Sequence, residues 1–253
     1  MRTPRAAERL ARAPEALRGT GADVIALQEV FRPGHRRFIA AALRGSHPHV
    51  LAPPPLRSVL GSGLMVLSAV PIRAGGLVPL TGVGLVERGV LSVALDHPLL
   101  SATRLINVHA RAGPAARHNA EIDHLLAVAA GQAIMLGDFN CGPGAATWAY
   151  DRIVRAGFAD AYGTAGSLEA PTWDAANPLN KAGRFRFEPS QRIDHVFVPR
   201  TLAPHVAAAR ILLRYHDEPL SDHYGLIVEL TQKPVDRQVV RCNPDVISNE
   251  NYQ

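Results

Sequence analysis

Short apolar runs that end in polar side chains are the feature that most constrains this chain. The clearest is the run 133–136, which is ended by Gly137 and followed by Asp138 and Asn140. An apolar run of this length, closed by a glycine, predicts a short buried strand. Because burying an Asp without a partner is costly, a strand that carries one to its end indicates either a functional site or an Asp turn.

The same design recurs in four other predicted strands, which cover residues 22–27, 105–109, 193–198 and 225–230. The polar groups they carry, or that immediately precede or follow them, are Gln28, Glu29, His109, Asp194, Asp222 and His223. Taken singly, each has a structural explanation: a solvated strand end, a hydrogen-bonded core histidine, a turn anchor or a cap. Their recurrence favours a shared site over these separate explanations.

The residue types in this set suit one kind of chemistry. Glu29, Asp138, Asn140 and Asp222 offer the hard oxygen ligands that Mg²⁺ prefers, with Mn²⁺ as an alternative. His109 and His223 can transfer protons or bind a phosphate oxygen. Asp194 can fix the tautomer of a histidine, as buried aspartates do in other hydrolases. Neither cysteine lies in a ligand-like pair, which disfavours zinc.

Helices are predicted between these strands, over residues 6–18, 38–43, 117–130 and 147–155. Strands mixed with helices along the whole chain predict an α/β or α+β fold. Gly75-Gly76 indicates a turn between strands, and the isolated pair His47 and His49 is interpreted as part of a surface loop.

Composition bounds the remaining possibilities. The 253 residues are 47% hydrophobic and 19% charged, which predicts a folded chain, and no linker divides it. A net charge of +5 and a pI near 9.7 favour contact with polyanions, either nucleic acid or an anionic membrane surface. Two cysteines make no disulfide framework. Since no signal peptide or membrane span is visible, we expect a cytoplasmic location by default. We also expect a monomer.

Five ordered motifs together carry a family resemblance. They are LQE (27–29), NVH (107–109), GDFN (137–140), RIDHVFV (192–198) and SDH (221–223). In this order they resemble the endonuclease/exonuclease/phosphatase superfamily, with its DNase I-like fold, over residues 23–230. Within it, the neutral sphingomyelinase-like branch is the most similar, on LQEVF (27–31), SGLMVLSAVPI (62–72), ERGVLSVAL (87–95) and PTWDAANPLN (171–180).

The resemblance implies an α+β fold, a four-layer αββα sandwich of two packed mixed sheets with the site at one end. It implies that Glu29 is the principal Mg²⁺ ligand and that Asp222 assists it or positions His223. Asp138 and Asn140 would orient water and the scissile phosphate, and His109 would contact phosphate oxygens. His223, held by Asp194, would act as a general base or polarise the phosphate.

The sequence departs from the family pattern at its start. The family usually opens with a strand carrying an Asn that shares the metal, whereas residues 1–18 have a helical pattern and contain no Asn. We therefore predict a domain over 1–230 that lacks its first strand, followed by a polar, loosely attached or disordered tail over 231–253. Such a gap leaves unpaired backbone groups beside it.

Three functions are weighed. The first is a Mg²⁺-dependent phosphodiester hydrolase of the sphingomyelinase or phospholipase C type. Its substrate-binding rim, in peripheral contact with a membrane, would contain Trp173, Phe185, Phe187, Lys181, Arg184, Arg186 and Arg192. The second is a DNase I-like endonuclease, favoured by the basic charge. The third is a catalytically impaired member that only binds a partner.

Overall fold

The structure, a computed structural model, describes residues 6–55, 58–80, 86–130, 132–181, 185–214 and 218–235. The helices of these residues are α1 (Ala6–Gly19), α2 (Pro33–Leu43), α3 (Ala115–Val128), α4 (Thr147–Arg155), α5 (Ala161–Thr164) and α6 (Pro178–Lys181). The strands are β1 (Val24–Leu27), β2 (His49–Leu51), β3 (Met65–Ser68), β4 (Ile72–Pro79), β5 (Gly89–Leu95), β6 (Arg104–His109), β7 (Ala133–Asp138), β8 (Phe158–Asp160), β9 (Asp194–Pro199), β10 (Val206–Leu212) and β11 (Gly225–Leu230).

Six strands form the larger sheet, in the order β4-β5-β6-β7-β9-β8. Only β6 and β7 run parallel, with α3 as their crossover, and the other neighbours are antiparallel. The remaining strands form a three-stranded sheet, β1-β3-β2, and the pair β10-β11. The parallel pair matters for the site, because it brings the ends of β6 and β7 to the same edge.

The larger sheet is buried on both faces, as its nearly continuous apolar strands require. On one face, Ile106 and Met135 pack with Ile122 of α3 and Ile153 of α4. On the other face, apolar side chains of β5, β6, β7 and β9 pack against β1, β3 and β11, in a cluster that includes Leu64, Val66, Leu91, Val93, Leu105, Ile134, Val196 and Val228.

The fourth layer consists of α1 and α2. Leu10 and Leu17 of α1 pack with Ile39 and Leu43 of α2 over Met65 of β3. The layers therefore run helix, sheet, sheet, helix, which confirms the predicted four-layer αββα sandwich of the DNase I-like type. Within the described residues no strand precedes β1.

Two local predictions were wrong for a packing reason. Gly75 and Gly76 lie inside β4 and not in a turn, because a Cβ at Gly75 would stand 2.6 Å from Leu51 and 2.8 Å from the carbonyl oxygen of Ser92. His47 is 4% exposed and not in a surface loop, since its ring bonds to the carbonyl of Ala22 at 2.8 Å. His49 begins β2.

The predicted polar tail is described only as far as Val235. The amide of Thr231 donates to the carbonyl of His205 at 2.9 Å, and that of Val235 to Pro204 at 2.7 Å. These bonds hold residues 231–235 beside the start of β10. The rest of the tail, 236–253, lies outside the described residues.

Candidate active site

Strand register places three of the predicted site residues in one row. His109 is opposite Asp138 in the parallel pair β6–β7, and Asp138 is opposite Asp194 in the antiparallel pair β7–β9. Residues opposite each other on neighbouring strands project to the same face. One potential ligand atom each from Asp138, Asp194 and His223 lie within 4.8 Å of one another. The sheet itself thus assembles groups that lie far apart in the sequence.

His223 forms an ion pair with Asp194, with 2.8 Å between Nδ1 and Oδ2. Burial alone would lower the pKa of His223, but Asp194, together with Asp138 and Asp222, raises it to about 10. Burial alone would likewise raise the pKa of Asp194, and the contact with His223 reverses this and lowers it. The pair is therefore an imidazolium and a carboxylate at neutral pH, with Nε2 of His223 left to donate a hydrogen bond.

Asp138 and Asn140 form a rigid unit at the end of β7. The carboxylate of Asp138 accepts from the backbone amide of Asn140 at 2.8 Å and from its side-chain amide at 3.0 Å. The same side-chain amide donates to the carbonyl of Ala110 at 2.9 Å. Burial, and then the nearby Asp194, raise the pKa of Asp138. Asp138 therefore accepts a proton, or a cation, more readily than an exposed aspartate.

Glu29 and His109 lie across the cleft from this unit. Nε2 of His109 is 3.8 Å from Glu29 Oε1 and 3.7 Å from Asp138 Oδ2. Burial, followed by the charge of Arg88, lowers the pKa of His109 to about 4, so its ring is neutral at pH 7. Nδ1 of His109 is buried and has no hydrogen-bond partner among the described residues. The ring nitrogen of His109 that is available to contact a ligand is therefore Nε2. It faces the carboxylates of Glu29 and Asp138.

Backbone geometry at this site is unusual. Glu29 and Asn140 have φ values of 60° and 49°, which non-glycine residues rarely adopt. Gly137 has φ 129°, and a Cβ there would stand 2.1 Å from the carbonyl oxygen of Val108. Strained conformations of this kind cluster where function constrains the backbone. They aim Glu29, Asp138 and Asn140 into one space.

The loop 221–223 is held by residues that sequence reasoning did not assign to the site. The side-chain amide of Asn177 donates to the carbonyl of Ser221 at 2.9 Å, and that of Asn180 to the carbonyl of Asp222 at 3.0 Å. Asn177 is 0% exposed and Asn180 4%. The sequence did offer a signal, since two asparagines three residues apart stand among apolar neighbours. Their contacts leave the exposed carboxylate of Asp222 facing the cleft.

Of the two predicted substrate-binding residues, Arg192 is buried away from the cleft and Trp173 lines it. The side chain of Arg192 is 2% exposed and forms ion pairs with Asp160 and Glu169, both at 2.8 Å. Arg192 therefore stabilises the interior and is not part of a rim. Trp173 is 5% exposed, and its backbone bridges Gln191 and His223, although it does line the cleft. Of the other rim residues, Lys181, Phe185, Arg186 and Phe187 are exposed, and Arg184 lies outside the described residues.

These groups surround a cleft of about 740 Å³. Glu29, His109, Asp138, Asn140, Asp222 and His223 all line it, together with Arg88, Arg111, Phe185 and Glu188. Glu29, Asp138, Asn140 and Asp222 offer oxygen atoms of the kind that a hard divalent cation prefers, while the ligand atoms that lie within 4.8 Å of one another belong to Asp138, Asp194 and His223. Partial desolvation, and then the charge of Asp222, raise the pKa of Glu29. A cation bound near these two carboxylates would relieve the repulsion between them.

The chain is similar to one family of known proteins. The profile of the endonuclease/exonuclease/phosphatase family matches residues 2–223. The chain belongs to this family. Members of the family are in general hydrolases that act on phosphoesters, which agrees with the residues gathered in the cleft. No curated protein matches the chain, and none of the described helices is long and apolar enough to cross a membrane.

Solved structures show the same fold at low sequence identity. Sphingomyelinase C from Streptomyces griseocarneus is 20% identical, with a TM-score of 0.65 over 89% of this chain and 92% of that one. Beta toxin 275–280 from Staphylococcus aureus is 15% identical, with a TM-score of 0.69 over 89% and 93%. The 3'-5' exonuclease NExo from Neisseria meningitidis is 19% identical, with a TM-score of 0.64 over 88% and 94%.

Proposed function

We propose that this protein is a Mg²⁺-dependent phosphodiester hydrolase of the sphingomyelinase or phospholipase C type. The observation that carries the proposal is the row of His109, Asp138 and Asp194, completed by His223, in a cleft also lined by Glu29 and Asp222. Hydrolysis of a phosphodiester needs an oriented water and charge stabilisation on the non-bridging oxygens. The cleft contains groups for both needs.

Each residue has a distinct part in this proposal. Glu29 and Asp222 would hold the cation, which supplies Lewis-acid stabilisation of phosphate charge. Asp138 and Asn140 orient the attacking water, with Asp138 as the proton acceptor. His223 donates from Nε2 to a non-bridging oxygen, and Nε2 of His109 binds a second one. Of the two roles weighed for His223, base and phosphate-polarising group, its pairing with Asp194 favours the second.

A lipid substrate is supported by the surface beside the cleft. Phe185 is 47% exposed and Phe187 85%, and the guanidinium of Arg186 lies 4.5 Å from the ring centroid of Phe187. Exposed aromatic rings next to a cation suit the interface of an anionic or zwitterionic membrane. The similarity to the sphingomyelinase fold agrees with this assignment.

A DNase I-like nuclease is the second candidate, favoured by the net charge of +5 and by the similarity to an exonuclease. Its binding to substrate would weaken steeply with added salt, because contacts with phosphates release counterions.

The test uses three substrates with Mg²⁺ and with EDTA. Hydrolysis of bis-p-nitrophenyl phosphate that needs Mg²⁺ supports phosphodiesterase activity. Release of phosphocholine from sphingomyelin vesicles, without cleavage of plasmid or single-stranded DNA, supports the lipid assignment. Cleavage of DNA alone would assign the protein to the nucleases, and inactivity on all three with Mg²⁺ and Mn²⁺ would favour the impaired binding member.

A further inference from the structure

A polar side chain lies in the apolar interface between the two packed sheets. Asn107 of β6 is 0% exposed, and it is paired in register with Leu91 of β5 and Leu136 of β7. Because side chains alternate along a strand, Asn107 projects to the same face of the larger sheet as His109. Burying an amide costs free energy unless its hydrogen bonds are satisfied. A leucine would fill this position without that cost, so the role of the asparagine lies in its hydrogen bonds.

The side chain of Asn107 reaches across the interface to β1 and β3. Its amide donates to the carbonyl of Leu27 at 3.0 Å and to the carbonyl of Met65 at 3.1 Å. Its oxygen accepts from the side-chain amide of Gln28 at 2.7 Å. Leu27 and Met65 are opposite each other in the pair β1–β3. These three hydrogen bonds form an inter-sheet bridge at the end of that pair.

The bridge ends next to a carboxylate of the cleft. Leu27 and Gln28 directly precede Glu29, whose φ of 60° is one that side chains rarely allow. On the other side of Glu29, the backbone amide of Val30 donates to the carbonyl of Gly63 at 2.8 Å. Glu29 is therefore held in its unusual conformation from both of its chain neighbours.

The bridge also contacts the larger sheet close to two other cleft residues. Asn107 is two residues before His109 on β6. The side-chain nitrogen of Gln28 lies 3.0 Å from the position that a Cβ on Gly137 would take, so Gln28 packs against the residue before Asp138. The spacing between the two walls of the cleft therefore depends on groups that bond to each other directly.

We propose that Asn107 and Gln28 are positioning residues, whose bridge fixes Glu29 in the orientation in which it binds the cation. The role of Glu29 as a ligand is taken from the proposed function, on which this proposal rests. Sheets that touch only through apolar side chains tolerate repacking and lose uniqueness before they lose stability. A fully satisfied polar network in such an interface specifies one arrangement. Replacing residues that orient metal ligands typically changes metal affinity or activity by about 10–100-fold.

The variants remove the bridge, or a comparable buried polar contact elsewhere, in the full chain. Gln28→Met removes one donor and keeps the length of the side chain, whereas Asn107→Ala removes all three hydrogen bonds. Ser68→Ala is the matched control. Ser68 is 0% exposed at the other end of β3, and its hydroxyl donates to the carbonyl of Val70 at 2.6 Å. If Asn107→Ala does not fold, Gln28→Met alone decides the result.

The first readout is the Kd for Mg²⁺, measured by calorimetric titration. We expect Kd to rise about 10–100-fold in Gln28→Met and in Asn107→Ala, and to stay unchanged in Ser68→Ala. At saturating Mg²⁺, kcat for bis-p-nitrophenyl phosphate should return to the wild-type value, because the bridge does not contact the phosphate. An unchanged Kd in the bridge variants, or an equal rise in Ser68→Ala, would overturn the proposal.

Hydrogen exchange in EDTA tests the bridge without the cation. We expect the amides of residues 29–31 to exchange about tenfold faster in Gln28→Met, from the loss of one hydrogen bond, and to be unchanged in Ser68→Ala. Equal exchange in Gln28→Met and in the wild type would overturn the proposal. A wild type that binds neither Mg²⁺ nor Mn²⁺ would instead overturn the proposed function, and exchange in EDTA would still decide whether the bridge holds Glu29.

Discussion

At the scale of single residues, the decisive contact is the 2.8 Å pair between His223 and Asp194. This contact keeps the imidazole of His223 charged and oriented. Asp194, at the start of β9, thereby becomes part of the candidate site. The charge and orientation of the pair, and not its place in the sequence, decide how it can interact with a phosphate.

We predict that His223→Ala lowers kcat for bis-p-nitrophenyl phosphate by about 10²–10³-fold, because a charged donor to the phosphate oxygen is lost. His124→Ala is the control, since His124 lies on α3 and does not line the cleft. Circular dichroism at the assay temperature checks that both variants are folded. Activity that survives in folded His223→Ala would remove this residue from the mechanism.

A second residue-scale prediction concerns Gly137. Gly137→Ala places a Cβ 2.1 Å from the carbonyl oxygen of Val108 at a φ of 129°, so we expect a loss of about 3 kcal/mol or more in the free energy of unfolding. Gly144→Ala is the matched control, because nothing lies within 4 Å of its Cβ and its φ is not positive. Urea unfolding of both variants measures the difference, and equal midpoints would contradict the argument.

At the scale of elements, the network around Arg192 ties together β8, β9 and the segment after α5. Its guanidinium bonds to Asp160 at 2.8 Å and to Glu169 at 2.8 Å, and it lies 4.8 Å from the ring centroid of Tyr162. Nδ1 of His195 is 2.8 Å from the same guanidinium. An arginine that the sequence placed on a rim therefore fixes the strand that carries Asp194.

This network predicts a pH dependence of stability. Burial alone would raise the pKa of Asp160, but His195 and Arg192 lower it to about 2, below the value of about 3.9 in the unfolded chain. A depressed pKa contributes stability above the unfolded value, here about 2 kcal/mol, and this contribution is lost as pH falls from about 4 to about 2. Asp160→Asn should thus be clearly less stable than the wild type at pH 6.

The measurement is urea unfolding of wild type and Asp160→Asn at pH 6, 4 and 3. The difference between them should shrink below pH 4, because the wild-type advantage begins to disappear there. Asp151→Asn, at a half-exposed position of α4, is the control and should show little difference at any pH. A difference that stays constant from pH 6 to pH 3 would contradict the role given to Asp160.

At the scale of the whole molecule, two packed sheets bring Glu29, which follows β1, to the row of His109, Asp138 and Asp194, so that Oε1 of Glu29 lies 3.8 Å from Nε2 of His109. A cation bound between carboxylates from separate sheets would link the two halves of the sandwich. Binding to the folded state alone stabilises it in proportion to the logarithm of the cation concentration.

We therefore predict that Mg²⁺ at about 100 times its Kd raises Tm by about 5–10 °C, from a stabilisation of about 2.7 kcal/mol. Glu29→Gln should abolish most of this shift. Glu188→Gln is the control, since Glu188 is exposed and lines the same cleft. A shift of equal size in both variants, or none in the wild type, would show that Glu29 does not bind the cation.

The sequence by itself determined the order of elements and most of the candidate site. Apolar runs with polar residues at one end located β1, β6, β7, β9 and β11, because burial dictates where such a run begins and ends. The ordered motifs around Glu29, His109, Asp138, Asp194 and His223 supported the αββα fold and the candidate site. These signals are local in the chain, so they can be seen without coordinates.

Only the tertiary structure decided which polar side chains face the cleft and which face the core. Arg192 and His47 are as polar as the cleft residues, yet their partners, Asp160 and Glu169 or the carbonyl of Ala22, come from distant parts of the chain. Gly75 likewise reflects the approach of Leu51 from another strand. The bridge between Asn107 and Gln28 also became visible only in three dimensions, because contact between sheets is a property of neighbours in space and not in sequence.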